Sequence, residues 1–437
     1  MPDHARSTDP AVQAQLDRFA QLSPGRDILG LERITALLDL LGNPHHHLPP
    51  VFHVAGTNGK GSTCAFLRAA LEAAGLTVHV YTSPHLVRFN ERIRVSGKLI
   101  DDTALAPLLA EVLDVAKAHD IGPSFFEATT AAAFLAFSRA PADACVIEVG
   151  LGGRLDATNV VMPMVCGIAQ VGIDHQAFLG DTLVEIAAEK AGIAKRGVPL
   201  VCLAQAPEAL ARVKAVAAAA GAPLRLEGRD WQVDTTLQPG LSGAHQLRNA
   251  NLAAQMLRTR GIADDAIRTG IAAAIWHARF QRLPDGPLTR NGAIWIDGAH
   301  NPAAAEVLAH ELARRPMHLI VGILANKDAD GIMAALAPYA LSLTFVAVPD
   351  HDSHDPAALA EKWGGRVATS LIEALSLAIP LVGPDLIRAG ASSLANAKNS
   401  LAPDQVRGDK RGNAPTLIVG SLYLAGVALE LNGTLPQ

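Results

Sequence analysis

The sequence predicts an α/β protein of two domains, each a largely parallel sheet covered by helices. Three observations predict it. At 437 residues the chain exceeds the reach of one ordinary core. Short apolar runs of buried-strand length alternate with helical patterns, and this alternation stops and restarts once. Hydrophobic residues make up 49% and charged residues 18%, with only 4% aromatic, so Ala, Leu and Val must fill the interior, as suits helices packed on sheets.

Residues 11–41 read as two helices broken at Ser23-Pro24-Gly25. Val51-Phe52-His53-Val54-Ala55 is a short strand ending at glycine, 64–74 a helix and 77–81 the next strand. Apolar runs at 142–149, 161–169 and 198–203 supply further buried strands. Helical patterns at 129–139, 182–195 and 207–220 separate them, and 245–274 reads as two helices. Pro284-Asp285-Gly286-Pro287 is a stiff break, read as a hinge between a domain over 1–283 and a second over 288–437. Beyond it 293–296, 318–323, 343–348 and 416–419 read as strands and 302–314 as a helix. Residues 384–414, rich in Ser, Asn, Gly and Lys, are expected to form a mobile loop.

The composition also excludes function classes. A net charge of −5 without a basic stripe argues against a nucleic-acid partner, which needs clustered cations to neutralise phosphates. No apolar run reaches the roughly 20 residues that span a bilayer, so no membrane partner is expected. Met1 to Thr8 is polar and has no secretory pattern. Cys64, Cys145, Cys166 and Cys202 lie far apart with no C-x-x-C pair, which disfavours disulfides and a zinc site and suits a cytoplasmic protein, expected to be a monomer. His45-His46-His47 resembles a metal tract, but before Pro49-Pro50 it reads as an exposed loop.

Gly56-Thr57-Asn58-Gly59-Lys60-Gly61-Ser62-Thr63 lies between a strand and a helix. Such a loop aims backbone N–H groups and a helix N-terminus at phosphate oxygens. Lys60 can reach the terminal phosphates, and Ser62 or Thr63 can contact phosphate or magnesium. The spacing differs from the common Walker A pattern. A phosphate loop alone fits a kinase, a GTPase or a ligase. Glu148 ends the strand Val146-Ile147-Glu148, Ser83 follows the strand at 77–81, and His175 follows another apolar run. All three therefore fall at the carboxyl edge, where open α/β sheets bind ligands. An oxygen-rich set with one imidazole suits magnesium bridging a nucleotide and a substrate. Lys190, on a helical pattern beside Glu189, reads on its own as a solvated lysine paired with a neighbouring Glu.

The segment His53 to Thr63 resembles the phosphate loop of the folylpolyglutamate synthase/dihydrofolate synthase family, in the Mur ligase superfamily. Thr82-Ser83-Pro84-His85-Leu86, the block from Glu148 to Asn159, Ile173-Asp174-His175, Glu189-Lys190-Ala191-Gly192 and Asp297-Gly298-Ala299-His300-Asn301-Pro302 are similar too, in family order over nearly the whole chain. The resemblance implies a Mur-ligase-like phosphate-loop domain that binds ATP, followed by a smaller Rossmann-like C-terminal ligase domain. It implies Gly59, Lys60, Gly61 and Ser62 on the ATP phosphates, Asn249 on the nucleotide, and Arg279 and Asp297 gripping ATP. Ser83, Glu148 and His175 match magnesium ligands, with two Mg2+ ions expected, and Lys190 matches a lysine that is carbamylated. His300 falls where the family has an active-site histidine. Phe126, Glu127, Leu155, Asp156 and Ala157 resemble the pteroate pocket, with Phe126 a stacking face and Asp156 an acceptor for pterin N–H groups. Two departures are Ala278, where the family has glycine before the arginine, and Ala325-Asn326, where an acidic residue is usual.

The implied reaction activates a carboxylate as an acyl phosphate and joins it to the amine of L-glutamate, the acceptors being dihydropteroate and reduced folates. Domain closure would exclude water from the acyl phosphate. A Mur-type peptidoglycan ligase is disfavoured because only about fifty residues precede Gly56, too few for a UDP-binding domain. A regulatory nucleotide switch would not need Glu148, His175 and Lys190, and a non-catalytic relative would not need Lys60 intact.

Overall fold

A computed structural model describes residues 5–22, 29–378 and 414–436. The chain divides into two compact units, Met1–His277 with Pro436–Gln437, and Ala278–Leu435. The stretch 284–287, expected as the hinge, lies inside the second unit. The expected loop at 384–414 lies outside the described residues apart from Ala414, as does the break at Ser23-Pro24-Gly25.

In chain order the first unit holds α1 (Pro10–Leu22), α2 (Glu32–Leu40), β1 (Val51–Ala55), α3 (Lys60–Ala73), β2 (Val78–Tyr81), β3 (Ile93–Val95), β4 (Lys98–Leu99), α4 (Asp102–Ala118) and α5 (Phe125–Ser138). Then follow β5 (Ala144–Glu148), β6 (Val165–Ile168), α6 (Gln176–Leu179), α7 (Leu183–Ala191), β7 (Leu200–Cys202), α8 (Pro207–Ala220), β8 (Leu224–Leu226), α9 (Ala244–Arg258) and α10 (Asp264–Ala273). His45-His46-His47 forms a single 3-10 turn, Pro44–His47, with His46 and His47 exposed.

The sheet order is β4-β3-β2-β5-β1-β6-β7-β8. It is parallel from β2 to β8, while β3 and β4 run antiparallel at one edge. The antiparallel edge has a local cause. Ser96 and Gly97 both have positive φ, 47° and 85°, which makes a two-residue hairpin turn. Side chains alternate across β1: Val51 packs with α1, α2, α4 and α5, while Phe52 and Val54 pack with α3, α9 and α10. His53 is a polar residue on the Val51 face, fully buried.

The second unit holds β9 (Gln281–Arg282), β10 (Ile294–Ile296), α11 (Pro302–Arg314), β11 (Met317–Val321), α12 (Ala329–Leu336), β12 (Ala340–Val346), α13 (Pro356–Trp363), β13 (Arg366–Ala368), α14 (Leu371–Ala378), β14 (Thr416–Val419) and α15 (Leu422–Leu431). Its sheet order is β13-β12-β11-β14-β10-β9, parallel except for β9. Its core gathers Leu319, Val321, Phe345, Leu417 and Val419 from the strands under Leu308, Ile332 and Leu336.

In the first sheet β1 sits between β5 and β6, so the chain leaves it first to one side and later to the other. That reversal opens a crevice at the carboxyl ends of these strands.

Candidate functional site

Residues 56–59 leave the end of β1 and enter α3 through Gly59, whose φ is 89°. An added Cβ there would lie 2.4 Å from Asn249 Oδ1, so only glycine lets α9 approach the loop. Asn249 thus borders the phosphate loop, held by its Nδ2 donating to Gln246 Oε1 at 3.1 Å. Trp276, which sequence reasoning did not single out, stands 2.7 Å from where a Cβ on Gly61 would sit.

The segment after β6 is clamped to the same loop. Thr57 N donates to Gln170 O at 2.7 Å, and Thr57 Oγ1 both donates to Gly172 O at 2.9 Å and accepts from Gly172 N at 3.0 Å. This clamp sets the position of Asp174 and His175. His175 has a left-handed φ of 54°, and its Nε2 lies 3.9 Å from Asp174 Oδ2.

Two lysines converge on one carbonyl. Lys60 Nζ donates to Gly56 O at 3.1 Å and to Thr57 O at 3.4 Å, and Lys190 Nζ donates to Gly56 O at 3.0 Å. Lys190 is buried near the end of α7, contrary to the solvated helix lysine its local sequence suggests. Burial, and then the charge of Lys60, push its pKa down to about 7, against the opposing pull of Asp174, Asp156 and Glu189. The Glu148 to Asn159 block positions α7: a Cβ on Gly153 would fall 2.8 Å from Glu189 O, and Asn159 Nδ2 donates to Gly192 O at 3.2 Å.

Ser62 Oγ is buried without a hydrogen-bond partner, whereas Thr63 Oγ1 already donates to Gly59 O at 2.9 Å. Of the two hydroxyls, Ser62 is therefore the one left to meet an incoming oxygen or cation. Glu148 ends β5 and is buried, with its Oε2 accepting from Ser83 N at 3.2 Å, so two of the three expected metal ligands meet. Among the described residues no three His, Cys, Asp or Glu side chains gather in metal-binding geometry. A single carboxylate, hydroxyls and an imidazole still fit magnesium, which keeps several waters and takes phosphate oxygens. The unpartnered Ser62 hydroxyl is the feature of this structure that fits a magnesium nucleotide.

Phe126 lies in the first turn of α5, its ring 5.9 Å from that of Tyr81. Glu127 is committed through Oε2, which accepts from Ser124 N at 2.7 Å in a capping box and from Arg33 Nε at 3.0 Å, while Oε1 is buried and unpartnered. Leu155 is half-buried and Ala157 buried, flanking the buried Asp156. Asp156 Oδ2 accepts from Leu151 N at 2.8 Å, and Oδ1 accepts from Thr158 N at 3.0 Å and from Thr158 Oγ1. Burial raises its pKa on balance, against the opposing pull of these bonds and of Lys60.

In the second unit, Arg279 stands between two residues of left-handed backbone, Ala278 at φ 57° and Phe280 at φ 42°. Such residues cost of the order of 1–3 kcal/mol each and persist only where neighbours hold them. Asp297 holds Phe280, accepting from Phe280 N at 2.6 Å and from Ala299 N at 2.7 Å, and Gln281 Oε1 holds Ala278 by accepting from its N–H at 3.0 Å. Ala278, the alanine in place of a glycine, therefore keeps a glycine-like conformation. Arg279 Nη1 donates to Ala278 O at 2.9 Å. His300 Nδ1 donates to Gly298 O at 2.7 Å.

Comparison with known proteins joins these observations. Residues 278–389 match the Mur ligase, glutamate ligase domain. The chain is 35% identical over 431 residues to the dihydrofolate synthase/folylpolyglutamate synthase of Bacillus subtilis, covering 90% of this chain and 93% of that protein. It is 37% identical over 351 residues to a probable bifunctional folylpolyglutamate synthase/dihydropteroate synthase of Halobacterium salinarum, and spans only 41% of that longer protein. Its fold matches E. coli FolC in complex with DHPP and ADP, with a TM-score of 0.81 and 31% identity over 97% of this chain and 98% of that one. It also matches a bifunctional folylpolyglutamate synthase/dihydrofolate synthase of Yersinia pestis with Mn, AMPPNP and L-glutamate bound, at a TM-score of 0.79 and 29% identity over 97% and 99% of the two chains.

Proposed function

This chain belongs to the dihydrofolate synthase/folylpolyglutamate synthase family, and we propose that it joins L-glutamate to two carboxylate acceptors at the expense of ATP. The acceptors are 7,8-dihydropteroate, giving dihydrofolate, and the γ-carboxylate of reduced folates, giving polyglutamates. The observation that carries this reading is the pair Lys60 and Lys190 on the Gly56 carbonyl, beside the unpartnered Ser62 hydroxyl.

A carboxylate oxygen attacks the γ-phosphorus of ATP, the bond to the bridging oxygen breaks, and ADP leaves. The glutamate amine then attacks the acyl carbon, the acyl–oxygen bond breaks, phosphate departs, and the amine proton passes to water. Gly59, Lys60, Gly61 and Ser62 hold the phosphates, and Lys60 offsets charge gathering on the transferred group. Asn249 meets the nucleotide; Arg279 and Asp297 are assigned to ATP and His300 to the catalytic set by family resemblance. Ser83, Glu148 and His175 would hold magnesium, which when bound neutralises phosphate charge and polarises the γ-phosphoryl group. Phe126, Glu127, Leu155, Asp156 and Ala157 line the pteroate side.

Lys190 reacts with CO2 as a neutral amine: a nitrogen–carbon bond forms, a proton leaves, and a carbamate replaces a cation. Its low pKa supports this step, because only the unprotonated amine attacks CO2. We place the protein in the cytoplasm as a monomer; its four unpaired, buried cysteines fit a reducing compartment. No helix among the described residues is long and apolar enough to cross a membrane.

The test is ATP-dependent incorporation of L-glutamate into 7,8-dihydropteroate and, separately, tetrahydrofolate. Product from both is the expected outcome. Product from one limits the enzyme to that step, and product from neither, with folded ATP-binding protein, sinks the folate reading. A Ser62→Ala variant should lose about 10- to 100-fold in kcat/KM for MgATP, as expected where a hydrogen bond to a charged group is removed. Its ligand-free melting temperature should hold or rise, since the substitution deletes an unsatisfied buried hydroxyl. A lower melting temperature would mean that the hydroxyl is structural.

A further inference from the structure

His53 sits mid-strand on β1, fully buried, with no role in the chemistry above. Its Nε2 lies 2.9 Å from Thr158 Oγ1, and Thr158 Oγ1 in turn bonds Asp156 Oδ1. A hydroxyl has one proton. Spending it on the carboxylate leaves Thr158 able only to accept from the ring, so Nε2 carries the hydrogen. Nδ1 must then be bare, and it is a buried atom without a hydrogen-bond partner.

The opposite polarity is chemically possible: a protonated Asp156 donating to Thr158, Thr158 to Nε2, and the ring proton on Nδ1. It would bury an unpaired N–H, which folded proteins avoid more strictly than an unpaired acceptor. A doubly protonated ring is disfavoured as well. Burial, and then the charge of Lys195, push the His53 pKa down to about 3. The ring is therefore a neutral donor of fixed tautomer. Around Asp156 burial favours the neutral acid, while the bonds from Leu151 N, Thr158 Oγ1 and Thr158 N and the charge of Lys60 favour the anion; Tyr81 stays a neutral phenol, its pKa raised by burial.

We propose that His53 and Thr158 are positioning residues which, as a one-directional hydrogen-bond relay, hold Asp156 as an oriented carboxylate for the N–H groups of the pterin ring. Oδ1 is saturated from the protein side by Thr158, while Oδ2 has Leu151 N alone and keeps a lone pair for the ligand. Specificity for the acceptor's heterocycle is thereby set partly by a strand residue that never touches it. This inference rests on the pteroate assignment of Asp156.

Three readouts test it. Long-range 1H–15N correlation on histidine-labelled protein, with the His53 signals identified by their loss in His53→Gln, should show protonated Nε2 and bare Nδ1 from pH 5.5 to 8.5. An Nδ1–H tautomer, or a titrating ring, overturns the relay without reference to any substrate. Thr158→Val should raise KM for 7,8-dihydropteroate about tenfold with KM for ATP unchanged, and Thr158→Ser should restore it. His53→Gln, which keeps a donor near Nε2, should stay close to wild type, and His53→Asn should behave like Thr158→Val. If Asp156→Asn raises that KM and Thr158→Val does not, the relay fails. If Asp156→Asn leaves it unchanged, the pteroate assignment fails, and the tautomer measurement still stands. Should Thr158→Val not fold, the wild-type tautomer alone decides.

Discussion

A Lys60→Met variant is expected to lose at least ~10^3-fold in kcat for glutamate ligation to either acceptor, an effect of about 4 kcal/mol on the barrier. Phosphoryl transfer leaves the protein little to do beyond positioning and charge stabilisation, and Lys60 is the cation at the mouth of α3. Its ammonium rests on Gly56 O and Thr57 O, so binding a phosphate would exchange carbonyl partners for anionic oxygens. Gly56 O keeps Lys190 as a donor, so the loop should hold its shape and the melting temperature should move little. The variant also takes a like charge away from Lys190, whose pKa should rise toward the ordinary lysine value. It therefore removes one cation from the phosphates and makes the neighbouring amine less reactive toward CO2. Steady-state kinetics with calorimetric binding of ADP would check this. A variant that binds ADP normally and ligates at near wild-type kcat would remove Lys60 from the chemistry.

What could be read in advance follows from where the information lies along the chain. The strand, loop and helix from Val51 to Ala73 carry their own signals: an unbroken apolar run, glycines at the turn, and a lysine at the helix start. The meeting of Ser83 with Glu148 carries no local signal, because strand pairing in a sheet joins residues far apart in sequence. The burial of Lys190 is another case. Its neighbours suggest a solvated face; what encloses it is the glycine-bearing block from Glu148 to Asn159, whose Gly153 lets backbone pack against Glu189. Helix α4 had a legible pattern, with Leu105, Leu108, Leu109, Val112, Leu113 and Ala116 on one face and Asp101 as its cap, yet no element was expected there. The boundary between the two units, after His277, has no Pro- or Gly-rich signal of its own. The prolines at 284 and 287 look like a linker, but β9 before them is already hydrogen-bonded to β10. Asp174 has no local signal of its role; its charge on Lys190 depends on the clamp between Thr57 and Gly172.

The second large effect concerns Lys190. A Lys190→Met variant is expected to fall by at least ~10^2-fold in kcat, and the wild type should require CO2. With a pKa of about 7, roughly three quarters of Lys190 is a neutral amine at pH 7.5, against about 0.1% for an unperturbed lysine. More of Lys190 than of a surface lysine is thus in the form that attacks CO2, and carbamate formation should increase from pH 6 to 8. The sign for stability is fixed by the same depression. As pH falls from the unfolded lysine value near 10.4 to about 7, the unfolded chain takes up a proton that the folded chain does not. Stability therefore declines across that window, by a few kcal/mol at most, and the penalty is constant below it. Carbamylation turns the cation into an anion and reverses each interaction. Lys60 becomes an attractive neighbour, while Asp174, Asp156 and Glu189 become repulsive, so the modified residue needs a further cation beside it. CO2 and a divalent metal should consequently act together: bicarbonate should lower the magnesium concentration for half-maximal activity, and magnesium should retain a 13C carbamate resonance from labelled bicarbonate. In CO2-depleted buffer activity should fall and return on adding bicarbonate, with no response from Lys190→Met. Wild-type activity indifferent to bicarbonate, with no carbamate resonance and an inactive Lys190→Met, would mean that Lys190 works as an amine or ammonium on the Gly56 carbonyl.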